Sequence, residues 1–197
     1  MSWWQRPNGP AWRQVASACI AAARSAAPAV RPAGRLCLIA LILGVGLPAA
    51  AQQSYPLVGQ AAPDFALHAA AGSNVRLSEH RGDVVVLSFW SSRCTPCRTQ
   101  LDALSRSLAT YRSAGLTVYG IGVDDDAAQS IEYARSVRVD FQLLLDPGKG
   151  VARSYQVDNL PFTVLIDRGG NVRYALRDYN AASNGLYLQQ LRALLNE

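Results

Sequence analysis

The segment VVVLSFWSSRCTPCRTQL constrains the fold of this chain more than any other. Val84 to Trp90 is an unbroken apolar run rich in β-branched residues, which reads as a strand covered on both faces. Ser91-Ser92-Arg93 makes a polar turn, and the residues after it repeat with helical period. Cys94 and Cys97, the only cysteines beyond position 37, fall at that strand-to-helix junction. A Cys-x-x-Cys placed there is a site for thiol–disulfide exchange.

The spacing suits the chemistry. A first cysteine at a helix N-terminus faces unpaired N–H groups and the positive end of the helix dipole, which favour a thiolate. The thiolate is the attacking species. A second cysteine one turn on can attack the resulting mixed disulfide and release the product. Cys94 is therefore read as the nucleophile and Cys97 as the resolving thiol, and Pro96 is well tolerated in a first helical turn. Two plainer readings compete. A structural zinc site needs four ligands, and only His68 and His80, both upstream, could join the cysteines. A structural disulfide over so short a loop removes little chain entropy and is a poor staple.

Charge is uneven along the chain. Residues 1–51 carry five arginines and no acid, leaving 14 basic and 14 acidic residues in the remainder. The net charge of +5 thus belongs to the N-terminal segment and is no footprint of nucleic-acid binding. That segment reads as a leader. Arg35 precedes the apolar run Leu36 to Leu47, followed by Pro48 and Ala49-Ala50-Ala51, a small-residue cleavage pattern. The run is short for a spanning helix, which needs about 20 residues. Cleavage after Ala51 would leave residues 52–197 with two cysteines, which suits an oxidising compartment. An uncleaved N-terminal anchor is the alternative. The expected organisation is a leader over 1–51 and one domain over 52–197.

Beyond the leader, Asp64 to His68 alternates like an early strand, Ala69 to Asn74 turns, and Val75 to Leu77 returns. After the cysteines, Cys97, Leu101, Leu104 and Leu108 share one helical face, and the helix should stop before Gly115. Leu116 to Val123 reads as a second buried strand. Asp124-Asp125-Asp126 reads as the start of a helix reaching about Arg138, with a cation site as the less favoured reading. Phe141 to Leu145 is a third strand, Gly150 to Tyr155 a short helix, and Val164 to Asp167 a late strand. Arg168-Gly169-Gly170-Asn171 turns into Val172 to Leu176. Ala181 to Leu195 closes the domain as a helix. This order indicates an α/β sandwich with a mixed sheet.

Together these segments resemble the thioredoxin superfamily, and more narrowly the exported TlpA/ResA/CcmG-like thiol–disulfide oxidoreductases with an AhpC/TSA-redoxin type domain. The resemblance rests on PDFAL at 63–67, VVVLSFWSSRCTPCR at 84–98, GIGVDDD at 120–126, LLLDP at 143–147 and LPFTVLIDRGGNV at 160–172. It implies a thioredoxin-like three-layer sandwich with a mixed central sheet and an N-terminal β-hairpin extension. It also implies a cis Pro161 beside the cysteines, presenting the backbone of Leu160 to an extended substrate chain. Trp90, Arg93, Pro96 and Leu160 would shape the site. The only redox group implied is the Cys94–Cys97 disulfide, with no separate cofactor and no metal. Implied partners are disulfide-bearing protein substrates and a membrane thiol carrier of the CcdA/DsbD type as electron donor, with no nucleic acid. The implied state is a periplasmic or otherwise extracytoplasmic monomer, membrane-bound only if the leader stays uncleaved. Such proteins act as reductants, for example in cytochrome c or copper-site maturation.

Three positions depart from the family pattern. Arg93 stands where an aromatic usually precedes the first cysteine. Gln100 replaces a glutamate common three residues after the second. Ser88 occupies the position of the buried aspartate of cytosolic thioredoxins. A guanidinium beside Cys94 should favour its thiolate, whereas Cys97 lacks a carboxylate to take its proton. The expected site attacks readily and resolves slowly. Two other functions share the pattern. A peroxiredoxin-like peroxidase would want a proline seven residues before the cysteine, where Leu87 stands, although Ser91 suits the position three before. A copper chaperone on this fold uses wider cysteine spacing and a downstream histidine, and there is none after His80. His68 and His80 read as surface residues near turns.

Overall fold

The computed structural model describes residues 55–197, so the leader read over 1–51 lies outside the described residues. In chain order the elements are β1 (Ala66–Ala69), β2 (Asn74–Arg76), β3 (Val84–Trp90), α1 (Thr95–Tyr111), β4 (Leu116–Gly122), α2 (Ala127–Ser136), β5 (Gln142–Leu145), α3 (Gly150–Ser154), β6 (Phe162–Ile166), β7 (Val172–Leu176) and α4 (Ala181–Leu195). The strands form one seven-stranded sheet in the order β2-β1-β5-β4-β3-β6-β7. β3, β4 and β5 run parallel, as strands joined by helical crossovers must, while β6 and β7 are antiparallel. The hairpin β1–β2 docks antiparallel on the outer edge of β5 through His68 and Ala69. The sheet is mixed and layered between helices, as the residue order led us to expect.

Period-two alternation divides the core. From β3, Val85, Leu87 and Phe89 join Tyr55, Phe65 and Tyr155 on one face. Val84 and Val86 point the other way, against Leu104 and Leu108 of α1 and Leu191 and Leu194 of α4. The four residues predicted to share the inner face of α1 (Cys97, Leu101, Leu104 and Leu108) are all buried, and each such leucine contributes about 1.5–3 kcal/mol. α1 passes into a 3-10 turn over Arg112–Ala114, which Gly115 ends with φ 85, a left-handed angle that suits glycine.

Two element boundaries move for identifiable reasons. The helix expected from Asp124 begins at Ala127, because Asp126 is its N-cap and accepts the Ala128 N–H at 2.9 Å. The first strand begins at Ala66, two residues later than its alternation suggests. Asp64 instead accepts the Ser78 N–H at 2.9 Å and pairs with Arg76 at 3.2 Å.

Candidate active site

Cys94 is the N-cap of α1, with extended backbone (φ −89, ψ 98), and Pro96 lies in the first helical turn. A disulfide joins Cys94 to Cys97 with a Cα–Cα separation of 5.3 Å. The two sulfurs differ in access. Cys97 is fully buried, whereas Cys94 is partly exposed. Pro96 is exposed beside it. The couple therefore presents one cysteine to solvent and keeps the other beneath it.

Trp90 forms the floor. It is fully buried and packs with Cys97, Leu101, Val137 and Leu143. Its ring stacks on Tyr133 of α2 at 5.0 Å between centroids. Gly120 and Gly122 of β4 make room for the indole. A Cβ at Gly122 would lie 2.8 Å from the Trp90 ring, and one at Gly120 would strike Leu143. Trp90, expected to shape the site, packs beneath it against Cys97.

Behind the helix turn that bears Cys97 runs a neutral hydrogen-bonded chain. Ser88 Oγ donates to Gln100 Oε1 at 3.0 Å, and Gln100 Nε2 donates to Thr163 Oγ1 at 2.6 Å. All three residues are buried. The two positions that lack a carboxylate are therefore partners of each other. Thr163 completes the chain, a role not anticipated from sequence, because nothing in FTVLI marks which hydroxyl meets a residue 63 positions away.

Leu160 and Pro161 come to the same place from the start of β6. Their peptide bond is cis. Pro161 is buried, and Leu160 packs with Cys94 against the Trp90–Cys97 cluster. Arg93, Leu160 and Val157 line a groove of about 550 Å³ that runs past Asp124, Asp125 and Asp126 to Lys149 and Arg153. The three aspartates do separate work. Asp124 accepts hydrogen bonds from the turn before Cys94, Asp125 pairs with Lys149 at 2.7 Å, and Asp126 caps α2. The Lys149 hydrogen bond and charge hold the Asp125 carboxyl below its ordinary pKa, and Arg93 adds to the effect. The exposed Arg93 guanidinium therefore acts partly on Asp125, where the sequence left it either beside Cys94 or turned to solvent.

Among the described residues no three His, Cys, Asp or Glu side chains gather where they could hold a metal ion. His68 is exposed. His80, read as a surface residue, is half-buried, and its Nε2 shares a 2.7 Å hydrogen bond with the Tyr119 hydroxyl. Burial, chiefly, pushes that tyrosine up to about 12. His80 precedes β3 and Tyr119 stands opposite Leu87 in the middle of that strand, whereas Cys94 follows the strand's other end.

The pattern of the AhpC/TSA family matches residues 58–175. The chain is similar to the thiol-disulfide oxidoreductase ResA of Geobacillus kaustophilus, with 32% identity over 116 residues, covering 59% of this chain and 67% of the relative. It is also similar to the crystal structure of a Chlorobium tepidum protein provisionally named thiol:disulfide interchange protein DsbE. There the TM-score is 0.66 and the identity 33%, covering 68% of this chain and 95% of the other. A solution structure from Bacteroides thetaiotaomicron, provisionally named a protein disulfide isomerase, aligns with TM-score 0.65 and 30% identity, covering 71% of this chain and 91% of the other.

Proposed function

This chain belongs to the AhpC/TSA family, as a TlpA/ResA-like member of the thioredoxin superfamily, and from that premise we propose that it reduces disulfides of extracytoplasmic proteins through Cys94 and Cys97. It is a thiol–disulfide oxidoreductase. The observation that carries the order of attack is the unequal access of the two cysteines, one at the helix N-cap and partly exposed, the other fully buried.

In the reduced protein the Cys94 thiolate attacks one sulfur of a substrate disulfide. A mixed disulfide forms and one substrate thiolate leaves. The Cys97 thiolate then attacks the Cys94 sulfur, the Cys94–Cys97 disulfide forms, and the second substrate thiolate leaves. Two electrons pass to the substrate, and a donor dithiol, in our reading a membrane carrier, restores the pair. Helix N-terminal N–H groups and Arg93 favour the attacking thiolate. Burial of Cys97 disfavours its thiolate, and the Ser88–Gln100–Thr163 chain offers hydrogen bonds but no carboxylate to accept its proton. Leu160 and the adjoining groove are read as the seat of the substrate chain. The charge and apolar pattern of residues 1–51 support export, and the role in cytochrome c or copper-site maturation is proposed from the family resemblance of the segments at 63–67, 84–98 and 160–172.

The test is the Cys94–Cys97 reduction potential, taken by equilibration with glutathione or dithiothreitol, together with trapping in Cys97→Ser. A potential near or below about −250 mV, in the thioredoxin range, with a stable mixed disulfide at Cys94, is the expected result. A potential near about −120 mV, that of a strong oxidant, overturns the reductant reading.

A further inference from the structure

We propose that Asp124 is a positioning residue for the disulfide couple: its buried carboxylate fixes the turn that carries Cys94 and keeps a negative charge beside the nucleophile. The proposal rests on the thiol–disulfide reading above and deepens it.

Asp124 follows the end of β4 and is 8% exposed. Both of its carboxylate oxygens accept the Ser92 N–H at 3.0 Å. The Ser92 hydroxyl donates to Oδ1 at 3.0 Å, and the Ser130 hydroxyl, from α2, donates to Oδ2 at 2.8 Å. One side chain thus joins the β3–α1 turn, the end of β4 and the body of α2. Ser92 precedes Cys94 by two residues, and the turn between them is closed by the Cys94 N–H on the Ser91 carbonyl at 3.1 Å. Fixing Ser92 fixes the path of the chain into the helix that begins at the nucleophile.

The donor set selects a carboxylate. The backbone N–H has no lone pair to give, and both serine hydroxyls point their protons inward, so an acceptor-only group matches them. No cation lies within ion-pair distance of Asp124 among the described residues. A buried charge without an opposite charge is costly, and here the hydrogen bonds from Ser92 and Ser130 offset that cost and hold the carboxylate ionised.

The charge acts on the sulfur. A nearby anion disfavours a second one, so Asp124 opposes the thiolate at Cys94 against the pull of Arg93 and the helix N-terminus. The other charged groups facing this groove are Asp125, Asp126, Lys149, Arg153 and Asp158. Lys149 is engaged by Asp125, and Asp158 by Arg177 at 3.6 Å. Asp124 is the buried charge among them. A couple whose reduced form is less stabilised is the stronger reductant, so this residue biases the protein toward giving electrons.

The experiment compares the full-length protein with Asp124→Asn, Asp124→Ser and Ser130→Ala. It measures the dithiol–disulfide equilibrium against glutathione or dithiothreitol, the ultraviolet titration of the Cys94 thiolate, and reduction of a protein disulfide. Asp124→Asn should shift the equilibrium toward the dithiol about tenfold, or about 30 mV for a two-electron couple, and lower the pH at which Cys94 ionises. Asp124→Ser, smaller and equally neutral, carries the same expectation should the asparagine variant fail to fold. Ser130→Ala removes one donor but leaves the charge, and should shift the equilibrium less than about twofold. No shift in the neutral variants, or an equal shift in Ser130→Ala, overturns the proposal. A wild-type protein that reduces no protein disulfide overturns the functional reading instead, while the equilibrium and the thiolate titration still decide the role of Asp124.

Discussion

Gln100 is the side chain whose chemistry departs furthest from its neighbours' needs. It lies one turn after Cys97, almost fully buried, and is held from both sides by hydroxyls. A glutamate there would accept from Ser88 and Thr163 together, since each hydroxyl can turn its proton inward. It would also supply the base that Cys97 lacks. We predict that Gln100→Glu speeds resolution of a mixed disulfide by about tenfold or more, within the usual range for a positioned general base. Stopped-flow release of the second substrate thiolate, from the preformed mixed disulfide at Cys94, reads this directly, and an unchanged rate would sink the idea. The cysteines and Pro96 stood out by their local spacing, whereas Arg93, Gln100 and Pro161 were singled out only through the family resemblance. The roles of Thr163 and Asp124 were not legible in the sequence. Their partners are 63 and 32 positions away, and only the side-by-side pairing of β3 with β4 and β6 brings them together.

Among the elements, β4 does more than add a strand. Its glycines at 120 and 122 leave the hollow that Trp90 fills, beside the parallel neighbour that leads to the nucleophile. Gly122→Ala should crowd the indole and the Ser130 hydroxyl at once, since an added Cβ would lie 2.8 Å from one and 3.1 Å from the other. Overpacking of this kind costs about 1–3 kcal/mol, measurable as a lower urea midpoint. A stability within about 0.5 kcal/mol of wild type would mean that the ring has room to move aside. Strand and helix types followed from periodicity, and α4 lies where it was expected. The docking site of the N-terminal hairpin did not follow. An alternating strand states which face is buried but not which edge it joins, and here that edge belongs to β5.

Across residues 55–197, the β6–β7 hairpin is tied to Glu197, beyond the end of α4, by a charged chain. Asp167 accepts the Asn171 N–H at 2.8 Å and pairs with Arg173 at 3.3 Å, and Arg173 reaches on to the C-terminal residue Glu197 at 2.7 Å. Burial alone would raise the Asp167 pKa, but these hydrogen bonds outweigh it and hold the carboxyl below its ordinary value. A carboxyl depressed on folding adds stability above its unfolded pKa, ~3.9, and that stability is lost as pH falls through the folded value. Thermal unfolding should therefore show the protein weakening as pH drops below about 4, and Asp167→Asn should flatten that decline while lowering stability near neutrality. Parallel acid curves for the two proteins would remove Asp167 from the account. The buried floor beneath the disulfide has an optical consequence as well. Trp90 is the one indole after position 12, and it packs against Cys97. A disulfide accepts an electron from a nearby excited indole and a dithiol does not, so the emission of this tryptophan should brighten when the protein is reduced. The chain carries its own lamp, dim when oxidised and lit when charged with electrons.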